Sequence, residues 1–367
     1  MQEKLVAVYE LPGPEAEALR LAKAVAWEET VEVPEDFPLP AGVRDGVVGK
    51  VGAATPAGDG RFRVEVEFPA ALGGRVGTLL NLVFGNASIW PGLRLVDLRL
   101  PGSLLASLPG PGHGVDGLRA LTDARGRPLL ATALKPMGSS VESLAAAAAA
   151  FAAGGGDLVK DDQNLVDRDL AAFKDRVARI AEAVAAAGTR CLYLPHLSGP
   201  QEELDERLDF ALACGLKGVL ACPAILGLDE VRRLAASRRV VVMAHPAFSG
   251  ALYCDRSHGI ETALWHGVFM RLIGADLSVF PNAGGRFGFT PEECRRIAAR
   301  CREPLGPLAA ALPAPGGGMR LDRAADLARD FGPDAAWLVG GSLLMHPGGP
   351  KAGAAAFREA MAKAFPG

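Results

Sequence analysis

Residues 154–165 read GGGDLVKDDQNL: three glycines, a short apolar step, then a lysine and two aspartates. The stretch follows LAAAAAAFAA (144–153), whose alanines are the best helix formers and whose run the glycines stop. A brief apolar run after such a stop predicts a buried strand, DLVKDD (157–162), that carries charge at its C-terminal end. Strand side chains alternate, so Lys160 and Asp162 share one face and Asp161 takes the other.

The same rhythm recurs on either side. Apolar runs at 128–136, 157–162, 190–198, 218–226, 239–247, 275–282, 307–317 and 335–344 alternate with segments of helical periodicity such as EELDERLDFALACG (202–215). Eight such strands predict a parallel (β/α)8 TIM barrel, an α/β fold that carries its chemistry at the C-terminal strand ends. Those ends hold Lys135, Lys160 with Asp161 and Asp162, His196, Cys222, His245, Asn282, Gly316 to Gly318, and Gly340 with Gly341.

The first hundred residues differ in rhythm. Strand-like KLVAVYEL (4–11), a helical stretch from Pro14 to Ala26, strands within 44–54 and 61–68, a short helix near 75–83 and LRLVDLRL (93–100) make a β-α-β-β-α-β order. That order predicts an N-terminal α+β domain of ferredoxin-like type over 1–105. PGSLLASLPGPGHG (101–114) breaks the pattern, and the barrel domain is expected over 106–367.

The 367 residues carry 39 basic and 42 acidic side chains, a net charge of −3, with no basic tract for nucleic acid. Partners are therefore expected to be small molecules. Six cysteines fall singly with no CxxC pair, the usage of a reducing compartment. No signal peptide or membrane-spanning stretch is expected, and the expected location is cytoplasmic.

From spacing alone the lysine-aspartate cluster has two readings. It is either an ion pair closing the barrel mouth or, if CO2 adds to the Lys160 amine to give a carbamate, an oxygen-ligand site for Mg2+ with Asp162 and Gln163. Lys135 is either an acid/base group or a lysine reaching solvent. His245 and His196 are ligands, acid/base groups or satisfied rim histidines, whereas His258 and His266 are assigned to structure or surface. Glycines after strands seven and eight suit phosphate, and Arg286 suits phosphate or carboxylate unless it pairs at the surface.

In order along the chain, GPGHGVDGLR (110–119), LKP (134–136), GGGDLVKDD (154–162), AHP (244–246), GADLSVFPNAGGRF (274–287) and GGSLLMHP (340–347) resemble the ribulose bisphosphate carboxylase large-subunit family, RuBisCO, and most of all its form IV RuBisCO-like proteins. The resemblance implies that Lys160 becomes carbamylated and holds Mg2+ with Asp162 and Gln163, and that Lys135 handles the enolisation proton. It places His245 at the end of strand five and phosphate on Gly317, Gly318, Gly340 and Gly341. It also implies a homodimer or dimer-based oligomer in which Glu28 of AWEETVEVP (26–34) and Asn86 of VFGN (83–86) reach the partner's active site.

The departures narrow the function. NAGGRFGFT (282–290) has no lysine to steer CO2, Met137 stands for the second lysine of KPK, Pro246 for an arginine that grips a second phosphate, and Gln163 for a metal-binding glutamate. The resemblance then implies a non-carboxylating enzyme that forms a metal-stabilised enediolate from a phosphorylated ketose and reprotonates it. An isomerase or tautomerase of 5-methylthioribulose 1-phosphate in sulfur salvage is the example. The alternatives are a decarboxylase of a phosphorylated 3-oxo sugar acid, an enolase of a diketo-methylthiopentyl phosphate, or a non-catalytic ligand-binding member of the family.

Overall fold

RFRVEVEF alternates polar and apolar residues, which buries Val64, Val66 and Phe68 along one face of a strand. In the computed structural model, which describes residues 3–366, three antiparallel strands form around that pattern. β1 (Lys4–Pro12) pairs with β3 (Arg61–Pro69), and β2 (Lys50–Gly58) pairs with β3 on its far side. Asp59 and Gly60 both take positive φ, 50° and 67°, the geometry of a two-residue hairpin turn. The strand expected within 44–54 is thereby corrected: it begins at Lys50 and runs to Gly58, and Ala41–Gly46 is a short helix entered from Pro40. The Asp-Gly turn, rather than the apolar pattern, sets the end of β2.

β4 (Arg94–Arg99) lies antiparallel on the other side of β1. The helices Glu15–Glu28 and Val76–Phe84 pack Ala18, Ala22, Val25, Val76 and Leu79 into the same core as Leu5, Ala7, Val66 and Phe68. The order β4-β1-β3-β2 is the ferredoxin-like arrangement that the element order predicts.

Eight parallel strands follow: β5 (Leu129–Leu134), β6 (Leu158–Asp161), β7 (Leu192–Leu194), β8 (Gly218–Ala221), β9 (Val241–Ala244) and, after the two-residue β10 (Gly259–Ile260), β11 (Leu277–Pro281), β12 (Leu312–Gly316) and β13 (Ala336–Leu338). β10 leaves the barrel and pairs parallel with β4, so the N-terminal sheet ends on a piece of the barrel chain. The barrel sheet runs β7-β6-β5-β13-β12-β11-β9-β8. It closes just beyond β7, where Leu220 N donates to Pro195 O and Leu197 N donates to Leu220 O, each at 2.9 Å.

Alternation separates the two cores. Leu129, Ala131, Leu158, Leu194, Leu220, Val241, Met243, Leu277, Val279, Leu312, Ala314 and Leu338 fill the barrel interior. Their neighbours Leu130, Val159, Tyr193, Val219, Val242, Phe280 and Trp337 join the outer core beneath the helices.

Two of the three glycines of the opening stretch are needed for packing. The helix Val141–Ala153 is capped by Ser140 and stops at Gly154. A Cβ at Gly154 would lie 2.3 Å from Lys351 O, on the final helix Gly349–Ala364, and one at Gly156 would lie 2.1 Å from the Phe151 ring. No side chain fits at either position.

Candidate functional site

Strand parity decides what reaches the barrel mouth. Leu158 is interior and Val159 exterior, so Lys160 and Asp162 project inward and Asp161 outward. Asp161 is fully buried in a structural network. Its Oδ2 accepts from Arg176 Nη1 at 2.5 Å and from His196 N at 2.8 Å, and its Oδ1 accepts from the Tyr193 hydroxyl at 2.8 Å. Arg176 in turn makes a two-pronged contact with Asp167.

On the inner face the charge is less satisfied. Lys160, 2% exposed, donates from Nζ to Asp161 O at 2.9 Å. Burial pushes its ammonium pKa down to about 8, against the opposing pull of Asp162 and with the help of Lys135. Lys135 Nζ, half-exposed at the end of β5, lies 2.9 Å from Asp162 Oδ2. That contact is ionic without hydrogen-bond angles, so buried Oδ2 makes no hydrogen bond, while Oδ1 accepts from Asn164 N at 3.1 Å. Gln163 follows, partly buried.

The next strands continue the ring. His196 is buried, its Nε2 3.5 Å from Cys222 Sγ, and burial lowers its pKa. Cys222, which the sequence offered only as a strand-end residue, is buried at the end of β8, and burial pushes its thiol up to about 11. His245 follows β9. Its pKa is held well below the usual imidazole value, by burial first and then by Lys160, His196 and Lys135. Its Nδ1 accepts from Ala247 N at 3.2 Å. A backbone N–H can only donate, so the neutral ring carries its proton on Nε2.

The glycine loops adjoin one another. Gly317 and Gly318 take φ of 92° and 63°, and a Cβ at Gly318 would lie 2.7 Å from the backbone carbon of Gly284. The loops after β11 and β12 therefore touch backbone to backbone. Ser342 Oγ donates to Met319 O at 2.6 Å and ties the β13 loop to them. Gly340 and Gly341 face open space, with nothing within 4 Å of an added Cβ.

Other expected residues lie apart from this cluster. Arg286 is exposed, its guanidinium 5.8 Å from the Phe287 ring centroid. Glu28 and Asn86 meet each other on the N-terminal domain, where Asn86 Nδ2 donates to Glu28 Oε1 at 3.2 Å and to Glu32 Oε1 at 3.1 Å. Glu29, unremarked in the sequence, stands beside them. It accepts from Ala87 N at 2.7 Å, and burial pushes its carboxyl up to about 7.

Among the described residues no three His, Cys, Asp or Glu side chains converge to hold a metal. A metal here depends on Lys160 becoming an oxygen ligand beside Asp162. No helix among them is long and apolar enough to cross a membrane.

Residues 114–284 match the family described as ribulose bisphosphate carboxylase large chain, catalytic domain. The chain is 39% identical over 350 residues to ribulose bisphosphate carboxylase-like protein 1 of Rhodopseudomonas palustris, covering 94% of each. It is 36% identical to the 5-methylthioribulose-1-phosphate isomerase of Rhodospirillum rubrum, covering 94% of this chain and 92% of that one. It is 35% identical to the 2,3-diketo-5-methylthiopentyl-1-phosphate enolase of Exiguobacterium sibiricum, covering 84% and 80%. The crystal structure of a Rubisco-like protein from Rhodopseudomonas palustris superposes with a TM-score of 0.88 at 35% identity, over 99% of both chains.

Proposed function

The chain belongs to the ribulose bisphosphate carboxylase large-chain family, among its non-carboxylating RuBisCO-like members, and from that premise we propose that it isomerises a phosphorylated ketose by moving a proton between adjacent carbons. The substrate class is that of 5-methylthioribulose 1-phosphate. The observation that carries the reading is the inner-face cluster: Lys135 in contact with Asp162, beside buried Lys160 and the neutral His245.

Lys135, as its neutral amine, takes the proton from the carbon next to the carbonyl and returns it to the neighbouring carbon. His245, with its proton on Nε2, donates a hydrogen bond to a substrate oxygen. The open space at Gly340 and Gly341 and the backbone of Gly317 and Gly318 receive a single phosphate. Arg286 is the reserve cation for that end. No lysine stands in the loop after β11, so the intermediate is reprotonated rather than carboxylated.

The donor set fits Mg2+. Lys160 with an amine pKa near 8 has a neutral fraction able to add CO2, Asp162 has a carboxylate oxygen without a hydrogen bond, and Gln163 has an amide oxygen, all hard ligands. Lys160 as carbamate, Asp162 and Gln163 would hold the ion. When bound, Mg2+ draws charge from the carbonyl oxygen and makes the adjacent C–H bond easier to ionise.

Incubation with 5-methylthioribulose 1-phosphate in D2O tests this. Solvent deuterium on the carbon of this ketose supports the isomerase, whereas CO2 released from a phosphorylated 3-oxo sugar acid offered in its place means a decarboxylase. The similarity to the diketo-phosphate enolase supports a second reading. Turnover of the 2,3-diketo phosphate in preference to the ketose would replace the first by the second. If neither compound turns over while phosphate esters still bind, including to Lys160→Ala, the protein is a non-catalytic binder.

The assembly we propose is a dimer built on the same rim. Met137, Val166, Ile225, Phe248, Phe287 and Met345 follow β5, β6, β8, β9, β11 and β13, and each is more than half exposed. An apolar ring of this kind marks a covered surface, and a second copy bringing Glu28 and Asn86 covers it. Sedimentation of Phe248→Glu and Met345→Glu checks this: monomers with lost activity support the dimer, and a monomeric, active parent rules it out.

A further inference from the structure

Behind His245 the wall between β9 and the chain returning to β11 is incompletely filled. A cavity of about 10 Å³ lies there, room for about one water molecule, bounded by Ala244, His245, Ser249, Trp265, His266 and Met270 among others. His266 is 1% exposed, and its Nε2 has no hydrogen-bond partner. A buried nitrogen left dry is costly, and such groups in folded proteins are met by protein or by ordered water.

The ring is carried by a π-helix, Leu264–Phe269, a rare turn found frequently at functional sites. It rests edge-on against Tyr253, centroids 4.9 Å apart. Burial keeps it neutral, its pKa pushed down to about 3, so it offers one donor and one acceptor. Ser249, also 1% exposed, donates from Oγ to Pro246 O at 2.7 Å, lies 3.4 Å from the Tyr253 hydroxyl and keeps a lone pair to accept. His266 and Ser249 therefore offer two hydrogen-bond partners to a void of one-water size, within the two to four that a buried water takes.

We propose that His266 is a positioning residue: with Ser249 it holds one buried water that fills the void behind the His245 ring and fixes that ring's orientation at the barrel mouth. The inference rests on the reading of His245 as a group that meets the substrate. His266 itself never touches the substrate.

A crystal structure of the ligand-free protein should show one ordered water within hydrogen-bond distance of His266 Nε2 and Ser249 Oγ. An empty cavity, or one closed by a side chain, overturns the proposal. With 5-methylthioribulose 1-phosphate as substrate, His266→Phe should lower kcat about tenfold, as loss of a supporting outer hydrogen bond does, with KM unchanged. Its Tm should be nearly unchanged, because the phenyl ring fills the site as the water and its hydrogen bonds are lost together. His266→Gln, which can still hold the water, should recover most of kcat. A fall of Tm and kcat together in both variants, or a rise in KM alone, assigns His266 to packing or binding and overturns the proposal. His245→Ala separates the two levels. Full kcat in that variant defeats the reading of His245, whereas lost kcat there with normal kcat in His266→Phe defeats only the water link.

Discussion

Asp161 and Asp162 are consecutive in sequence and serve opposite sides of one barrel wall, the first bonded outward to Arg176 and Tyr193, the second inward against Lys135. Their amides should therefore fail in different ways. Asp161→Asn strands the buried Arg176 charge on that side and should cost about 3 kcal/mol of stability. Asp162→Asn should leave stability nearly unchanged and lower turnover by about a hundredfold or more. Urea unfolding and turnover on the two variants check the contrast. Equal effects on both measurements would remove the inside–outside assignment.

Lys160 supplies a pH signature. Its folded-state pKa of about 8 lies below the ordinary 10.5. Below pH 8 the folded chain carries a buried charge at a cost that the unfolded chain does not bear. Between pH 8 and 10.5 the folded chain has already released the proton, so this group's contribution to stability rises with pH across that window. Lys160→Met should accordingly be more stable than the parent at pH 7 without Mg2+ and bicarbonate, and the gap should narrow toward pH 10.5. Thermal melts at the two pH values measure it, and a constant gap would count against a buried ammonium.

Gln163 offers one amide oxygen where a carboxylate would add charge. Gln163→Glu should lower the Mg2+ concentration needed for half-maximal thermal stabilisation by about tenfold, because affinity for hard cations follows ligand charge. An unchanged Mg2+ titration would place Gln163 outside the metal site.

The glycines divide by what surrounds them. At Gly318 a Cβ would strike Gly284 in a left-handed conformation, so Gly318→Ala should lose about 1–3 kcal/mol of stability and raise KM for the phosphorylated substrate. Gly341 meets open space, so Gly341→Ala should keep its stability and raise KM only if the phosphate sits there. Melting temperature and KM, measured on both, discriminate.

Much of this was legible because its physics is periodic. Each of the eight expected barrel strands contains an observed one, and the two-residue alternation that put Lys160 inward and Asp161 outward needs no long-range information. What escaped depends on three dimensions. His266, which the sequence assigns to structure or surface, is indeed buried on a π turn, but the void beside it is a matter of packing that no spacing encodes. Glu29 looks like any acidic residue at a helix end until the Ala87 backbone folds over it. Arg286 has the chemistry of an anion clamp, but its contact with Phe287 is a matter of loop shape that no spacing encodes.

The two residues of β10 have a practical consequence for anyone dividing the molecule. A cut after residue 105 falls within the helix Gly102–Ala106 and leaves Gly259–Ile260 on the other fragment. The severed N-terminal piece would present the outer edge of β4, with the backbone of Arg94 and Leu95 unpaired, to whatever strand it met. Expressed alone, such a piece is expected to self-associate, so the seam between sheet and barrel behaves as a shared strand and calls for the whole chain as the unit of expression.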